Sequence, residues 1–249
     1  MLVTASLLAG GSAGCELFGD TSLVQLNVYA SHHGRRDQTG EIPDYGLPES
    51  KRTFVNDLGW EINVSDGYFV ITGATLIACD GAQHEIHMPR GPLPEWVNAA
   101  DRDVTIIGGT ELPEGKYCEM VVEYGPYSAA VAAESPETPH PIPSGAPIEG
   151  MTIFLAGVAV KDGVNVNFNL VSSDSRIVKD KLRDGDGTPD EYDIVADSGA
   201  HKTTAAKTYD RFFDGIDFST YEANAAQINA GLMDILVAET KTYHGTTIY

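Results

Sequence analysis

The sequence predicts a mainly β chain, an Ig-like or transthyretin-like β-sandwich followed by a C-terminal helical segment. Three observations point there. Seven stretches rich in Val, Ile, Phe and Tyr recur at strand length, Asp-Gly pairs stand between several of them, and helical spacing of apolar residues appears only near the C-terminus. In Thr21 to Ala30, Leu23, Gln25, Asn27 and Tyr29 share one face and Val24, Leu26, Val28 and Ala30 the other, the period of a strand. Residues 31–52 are polar, carry Gly and Pro, and read as a long loop. Further strands are expected at Trp60 to Val64, Tyr68 to Ala78, Val104 to Ile107, Lys116 to Tyr124, Met151 to Val160 and Val164 to Val171. Asp66-Gly67, Asp80-Gly81 and Lys161-Asp162-Gly163 are the expected turns, because Asp-Gly suits the primed turns that match strand twist. The proline-rich stretch 131–149 reads as an extended connection. From Tyr221 to Thr242, Ile228, Leu232, Ile235 and Leu236 fall at helical spacing, with Gly231 as the weak point. The organisation expected is therefore a leader at 1–15, a sandwich at 16–195, and a strand and helix at 196–249 that pack on it.

The formal charge is −20 and the sequence pI is near 4.5, which argues against a nucleic-acid partner, since that needs a basic face. Met1 to Cys15 reads as a short apolar stretch, small residues and then a cysteine. That is the pattern of a signal peptide, too short to span a bilayer. It resembles a bacterial lipoprotein signal, which implies cleavage before Cys15 and lipidation of that residue, although Ser12 stands where such signals usually carry Leu. The expected location is the periplasm or cell surface, with membrane contact only through the lipid and an envelope protein as a further partner. Setting Cys15 aside leaves Cys79 and Cys118, an even pair in an oxidising compartment. A bridge between them would stabilise by about 4 kcal/mol in the chain-entropy treatment. Two thiolate metal ligands are the alternative.

Two signals suggest metal ions. In the acidic stretch DGDGTPDEYD, Asp184, Asp186, Asp190 and Asp193 alternate along a Gly-containing turn, which could converge oxygens on calcium. The stretch resembles the later part of a thrombospondin type-3 calcium motif and fails as an EF-hand, because Pro189 and Val195 occupy positions that need Gly and Glu. A solvated acidic loop is the competing reading. Second, His84-Glu85-Ile86-His87-Met88 offers two imidazoles, a carboxylate and a thioether to copper or zinc, with His32 and His33 available from the long loop. Surface histidines without a metal remain the alternative, since residues three apart on a strand face opposite ways. No GxSxG, HExxH or GxxxxGK[ST] motif occurs, so binding is expected and catalysis is not.

Gly59-Trp60 entering a strand, Leu112-Pro113-Glu114-Gly115-Lys116-Tyr117 before another, and Gly157 to Gly163 at a hairpin form a set. This set resembles uncharacterised bacterial lipoproteins with a β-sandwich body, some encoded near metal-uptake genes. It is more distantly similar to the MbnP-like copper-associated periplasmic proteins. The resemblance implies an envelope protein that handles copper, iron or zinc. Those relatives carry a histidine cluster before a Phe-rich segment; here the stretch reads Thr208-Tyr209-Asp210-Arg211-Phe212-Phe213-Asp214, flanked by His201 and His244. The competing class is a structural or adhesive surface module whose calcium only stiffens a loop.

Overall fold

The structure, a computed structural model, describes residues 23–35, 52–97, 104–142 and 147–245. The expected leader and Cys15 lie outside them. The elements in chain order are β1 (Leu23–His33), β2 (Arg52–Val55), β3 (Glu61–Ala78), β4 (Gln83–Glu85), β5 (Leu93–Trp96), β6 (Val104–Pro113) and β7 (Gly115–Tyr124). A short helix α1 (Ala129–Ala133) follows, then β8 (Ile153–Lys161), β9 (Val164–Ser172), β10 (Arg176–Arg183), β11 (Tyr192–Ile194), β12 (His201–Thr208), α2 (Tyr221–Glu239) and β13 (Thr240–His244). The chain is mainly β with a C-terminal helix. Its strands form one hydrogen-bonded path, β6-β1-β12-β13-β10-β7-β3-β8-β9, with β2, β4 and β5 added to β3 and β11 to β7. The sheet curls around a single large core that includes Leu26, Val28, Ile62, Phe69, Leu76, Val122, Leu155 and Phe168.

Most of the expected strands form, and the departures have local causes. Tyr68 to Ala78 does not start after a turn at Asp66-Gly67. Instead β3 runs through it as a bulge, with its register on β8 shifting between Val64 and Asp66. A Cβ at Gly67 would stand 2.7 Å from Leu155 Cδ2 and 3.0 Å from Phe154 O, so a larger residue there would require the Leu155 side chain to shift. Lys161-Asp162-Gly163 does turn the chain, with φ of 51° at Asp162 and 79° at Gly163, the two positive values of a type I′ hairpin. The expected loop from residue 31 begins later, because β1 continues through Ser31, His32 and His33 as they pair in parallel with Ala206, Lys207 and Thr208. The stretch after 131 is not wholly extended: Ser128 caps α1 by accepting the Val131 N–H, and Ala132 is buried.

The C-terminal segment is woven into the sheet. β12 lies between β1 and β13, and β13 joins β10 in parallel. The helix α2 buries Leu232 and Leu236 as its spacing predicts and Met233 besides, while Ile228 and Ile235 of the expected stripe are half-buried. It also covers the edge strand β9. Tyr221 Oη donates to Asn169 O (2.6 Å) and accepts the Asn169 N–H (3.0 Å), while Asn229 Oδ1 accepts the Val171 N–H (3.2 Å). Edge groups that would otherwise template another strand are thereby satisfied within the chain. Among the described residues no helix is long and apolar enough to cross a membrane, which says nothing of β-barrels.

Candidate functional site at the disulfide corner

The long-range pairing of β10, β11 and β13 brings together residues that are far apart in the chain. Cys79 and Cys118 form the expected disulfide, with Cα atoms 5.0 Å apart, linking the end of β3 to its neighbour β7. The acidic loop folds over this bridge because β11 pairs with the start of β7, placing Asp193 opposite Lys116 and Tyr192 opposite Tyr117. Between loop and bridge lies a cleft of about 590 Å³ lined by Cys79, Cys118, Lys179, Lys181, Asp190 and Glu191, among others. Glu191 is held by Lys116 at 2.6 Å, and that contact raises the lysine pKa.

Two histidines complete the corner. His244, at the end of β13, stacks on Tyr192 with ring centroids 5.0 Å apart, and its Nε2 lies 3.6 Å from Asp190 Oδ2. That Nε2 is shielded from solvent and has no hydrogen-bond partner. On the other edge of Tyr192, His201 is fully engaged. Its Nδ1 is 2.8 Å from Tyr192 Oη, and the Val195 N–H donates to its Nε2 at 3.2 Å. Burial raises the Tyr192 phenol pKa, and the Lys202 N–H that donates to its oxygen partly offsets this.

The sets expected from sequence are not assembled as sets. No three of Asp184, Asp186, Asp190 and Asp193 bring side-chain ligand oxygens within 4.8 Å of one another. The loop spends its carboxylates on itself: Asp184 Oδ1 accepts the Thr188 N–H at 2.8 Å and Asp190 Oδ1 the Glu191 N–H at 2.9 Å. Nor do any three of His32, His33, His84 and His87 converge. His84 is half-buried edge-on to Tyr117, His87 is exposed where it bridges to Gly109, and His32 and His33 are buried in β1. Among the described residues, one group of three His, Cys, Asp or Glu residues does bring its ligand atoms within 4.8 Å: Cys79, Cys118 and Glu191.

A second polar cluster lies inside the core, and nothing in the sequence signals it. Glu95 of β5 is ion-paired with Lys207 of β12 and hydrogen-bonded to His32 Nδ1 at 3.1 Å. His32 Nε2 faces Arg52 at 3.2 Å, and Arg52 in turn donates to Tyr209 Oη at 3.2 Å and to Val97 O. All five side chains are buried. Burial opposes the Glu95 charge, but Lys207 and His32 outweigh it and lower its pKa. Burial likewise opposes the Lys207 charge, and Glu95 with Tyr124 more than restores it.

No known protein family matches the chain, and no curated protein matches it. Among solved structures, MbnP from Methylosinus trichosporium is similar at 8% identity over 74% of this chain and 76% of that one, with a TM-score of 0.38. This is a loose likeness that carries neither a residue role nor a function to this chain.

Proposed function

We propose that the chain is an exported metal-binding protein of the cell envelope, and that His244 and Asp190 supply the first two ligands to a copper or zinc ion. The observation that carries this reading is the His244 Nε2: shielded, without a hydrogen-bond partner, and 3.6 Å from a carboxylate oxygen on a different element. A buried polar atom without a partner costs free energy and calls for an explanation. Two ligand atoms about 3.3 Å apart would span one tetrahedral ion at the bond lengths zinc prefers. Imidazole with carboxylate suits copper or zinc, whereas a calcium site would need six or more oxygens. The formed disulfide is consistent with export, since such bridges form in oxidising compartments. The lipid anchor at Cys15 and an envelope protein partner belong to the same reading and rest on the leader pattern alone.

The test is metal titration of the chain prepared without chelators and without a histidine tag. Wild type should bind one equivalent of copper(II) or zinc, and His244→Ala or Asp190→Asn should weaken that binding by about 10-fold or more. His84→Ala with His87→Ala should leave it unchanged. If wild type binds neither ion, the reading fails, and the acidic surface is better sought as a protein-interaction face.

A further inference from the structure

Cys79 is exposed and Cys118 half-buried, and both sulfurs stand on the wall of the open cleft. The strands they link are neighbours in any case: the Cys79 N–H donates to Lys116 O at 2.9 Å, and Ala78 and Ile77 pair with Tyr117 and Glu119. Opening the S–S bond would therefore leave both cysteines held side by side by the backbone ladder. The Glu191 carboxylate already lies with the two sulfurs inside a 4.8 Å sphere. Its present partner, Lys116, is exposed and easily exchanged.

We propose that the Cys79–Cys118 bridge is redox-active, and that its reduced form, together with Glu191, is a zinc-class metal site separate from the His244–Asp190 pair. A dithiol is the reductant. Its thiolate attacks the exposed Cys79 sulfur, breaking the S–S bond and releasing Cys118 as a thiolate that takes up a proton. The second thiol of the reductant then attacks the mixed disulfide, closes its own ring and releases Cys79. Two electrons and two protons have passed from the dithiol to the bridge. A zinc ion next displaces the two thiol protons, and Glu191 turns from Lys116 to the ion. That makes three protein ligands with water in the fourth position, a coordination zinc accepts. Lys179 and Lys181 line the same cleft, Lys179 being ion-paired with Glu119 at 2.7 Å. In this form the corner responds to the redox state of its surroundings by taking up or releasing an ion.

The inference does not depend on the His244 reading, and its test separates the two. The full chain is treated with dithiothreitol without oxygen, desalted, and titrated with zinc against a chromophoric chelator, beside the untreated chain. Reduced wild type should bind one more zinc than oxidised wild type. The extra site should persist in His244→Ala, weaken by about 10-fold in Glu191→Gln, and vanish in Cys79→Ser with Cys118→Ser. If the serine variant does not fold, the comparison of oxidised with reduced wild type and Glu191→Gln decides alone. A bridge that resists dithiothreitol until the chain unfolds, or a reduced chain that takes no extra zinc, overturns the proposal.

Discussion

Two lysine–glutamate pairs in this molecule share their chemistry and differ in everything around it. Lys207 and Glu95 are 0% and 2% exposed, while Lys116 and Glu191 are 59% and 55% exposed. In the core, Glu95 also serves His32, which meets Arg52, which meets Tyr209, so each charge is committed to several partners. At the corner, Glu191 pairs with Lys116 and is more than half exposed, so its carboxylate can change partner at little cost. The buried cluster is thus suited to holding β1, β2, β5 and β12 in one arrangement, and the exposed pair is suited to exchange. Polar residues in this fold read as binding groups where they keep open valences, and as architecture where they do not.

The largest expected effect breaks the buried pair. Lys207→Ala should destabilise by about 3–5 kcal/mol, because it removes the cation paired with the buried Glu95 and leaves only His32 beside that carboxylate. Lys116→Ala should stay within about 0.5 kcal/mol. Denaturant titration of the two variants measures the contrast directly, and equal losses would remove it.

Acid should produce the next largest effect, and its origin can be located. His140 is buried and its pKa is lowered from 6.5 to about 4, by burial first and then by Arg90. Between those values the unfolded chain binds the proton and the folded chain does not. Stability is therefore full above about 6.5 and falls with pH down to about 4. Glu95, whose pKa is also lowered, contributes stability that is complete above the ordinary carboxylate range and is lost progressively as pH falls from that range through its lowered value. A loss already visible at pH 5 should therefore be reduced in His140→Gln, as read from melting temperature against pH. An identical pH profile in that variant would exclude His140 as the source.

The smallest effect should come from the acidic loop. Asp186→Ala with Asp190→Ala should change stability by no more than about 0.5 kcal/mol in the absence of metal. Calcium should leave the melting temperature of wild type unchanged. A calcium-dependent rise in wild type that disappears in the variant would restore the calcium cage and redraw the corner as a structural ion site.

Parts of this architecture are legible without any coordinates. The alternation of β1, the Asp162-Gly163 hairpin and the buried stripe of α2 all follow from local spacing, and the Cys79–Cys118 pairing follows from counting cysteines in an oxidising setting. Other parts are not. β12 and β13 carry His, Lys and Thr at buried positions that would ordinarily hold apolar groups, and β10 has Asp180 between its buried Val178 and Leu182, so their pattern is weak. His32 and Lys207 look like surface residues and lie in the core, because Glu95 and Arg52 arrive from other strands to satisfy them. The histidine proposed as a ligand at the corner, His244, shows in the sequence only as a residue flanking the Thr208–Asp214 stretch. Its partner Asp190 belonged to a different expectation, and no spacing rule joins residues that far apart.

By itself, then, the sequence determined the mainly β class, several hairpin and helix positions, the disulfide and the acidic character, since each depends on neighbours along the chain or on composition. Only the tertiary structure decided that β12 would run beside β1, that the strands would make one curled sheet, and that the acidic loop would close over the disulfide. The physical reason is that alternation specifies which face of a strand is buried but not which strand lies beside it. That choice is made by the whole core at once, through the burial of apolar surface and the pairing of every polar group carried in with it.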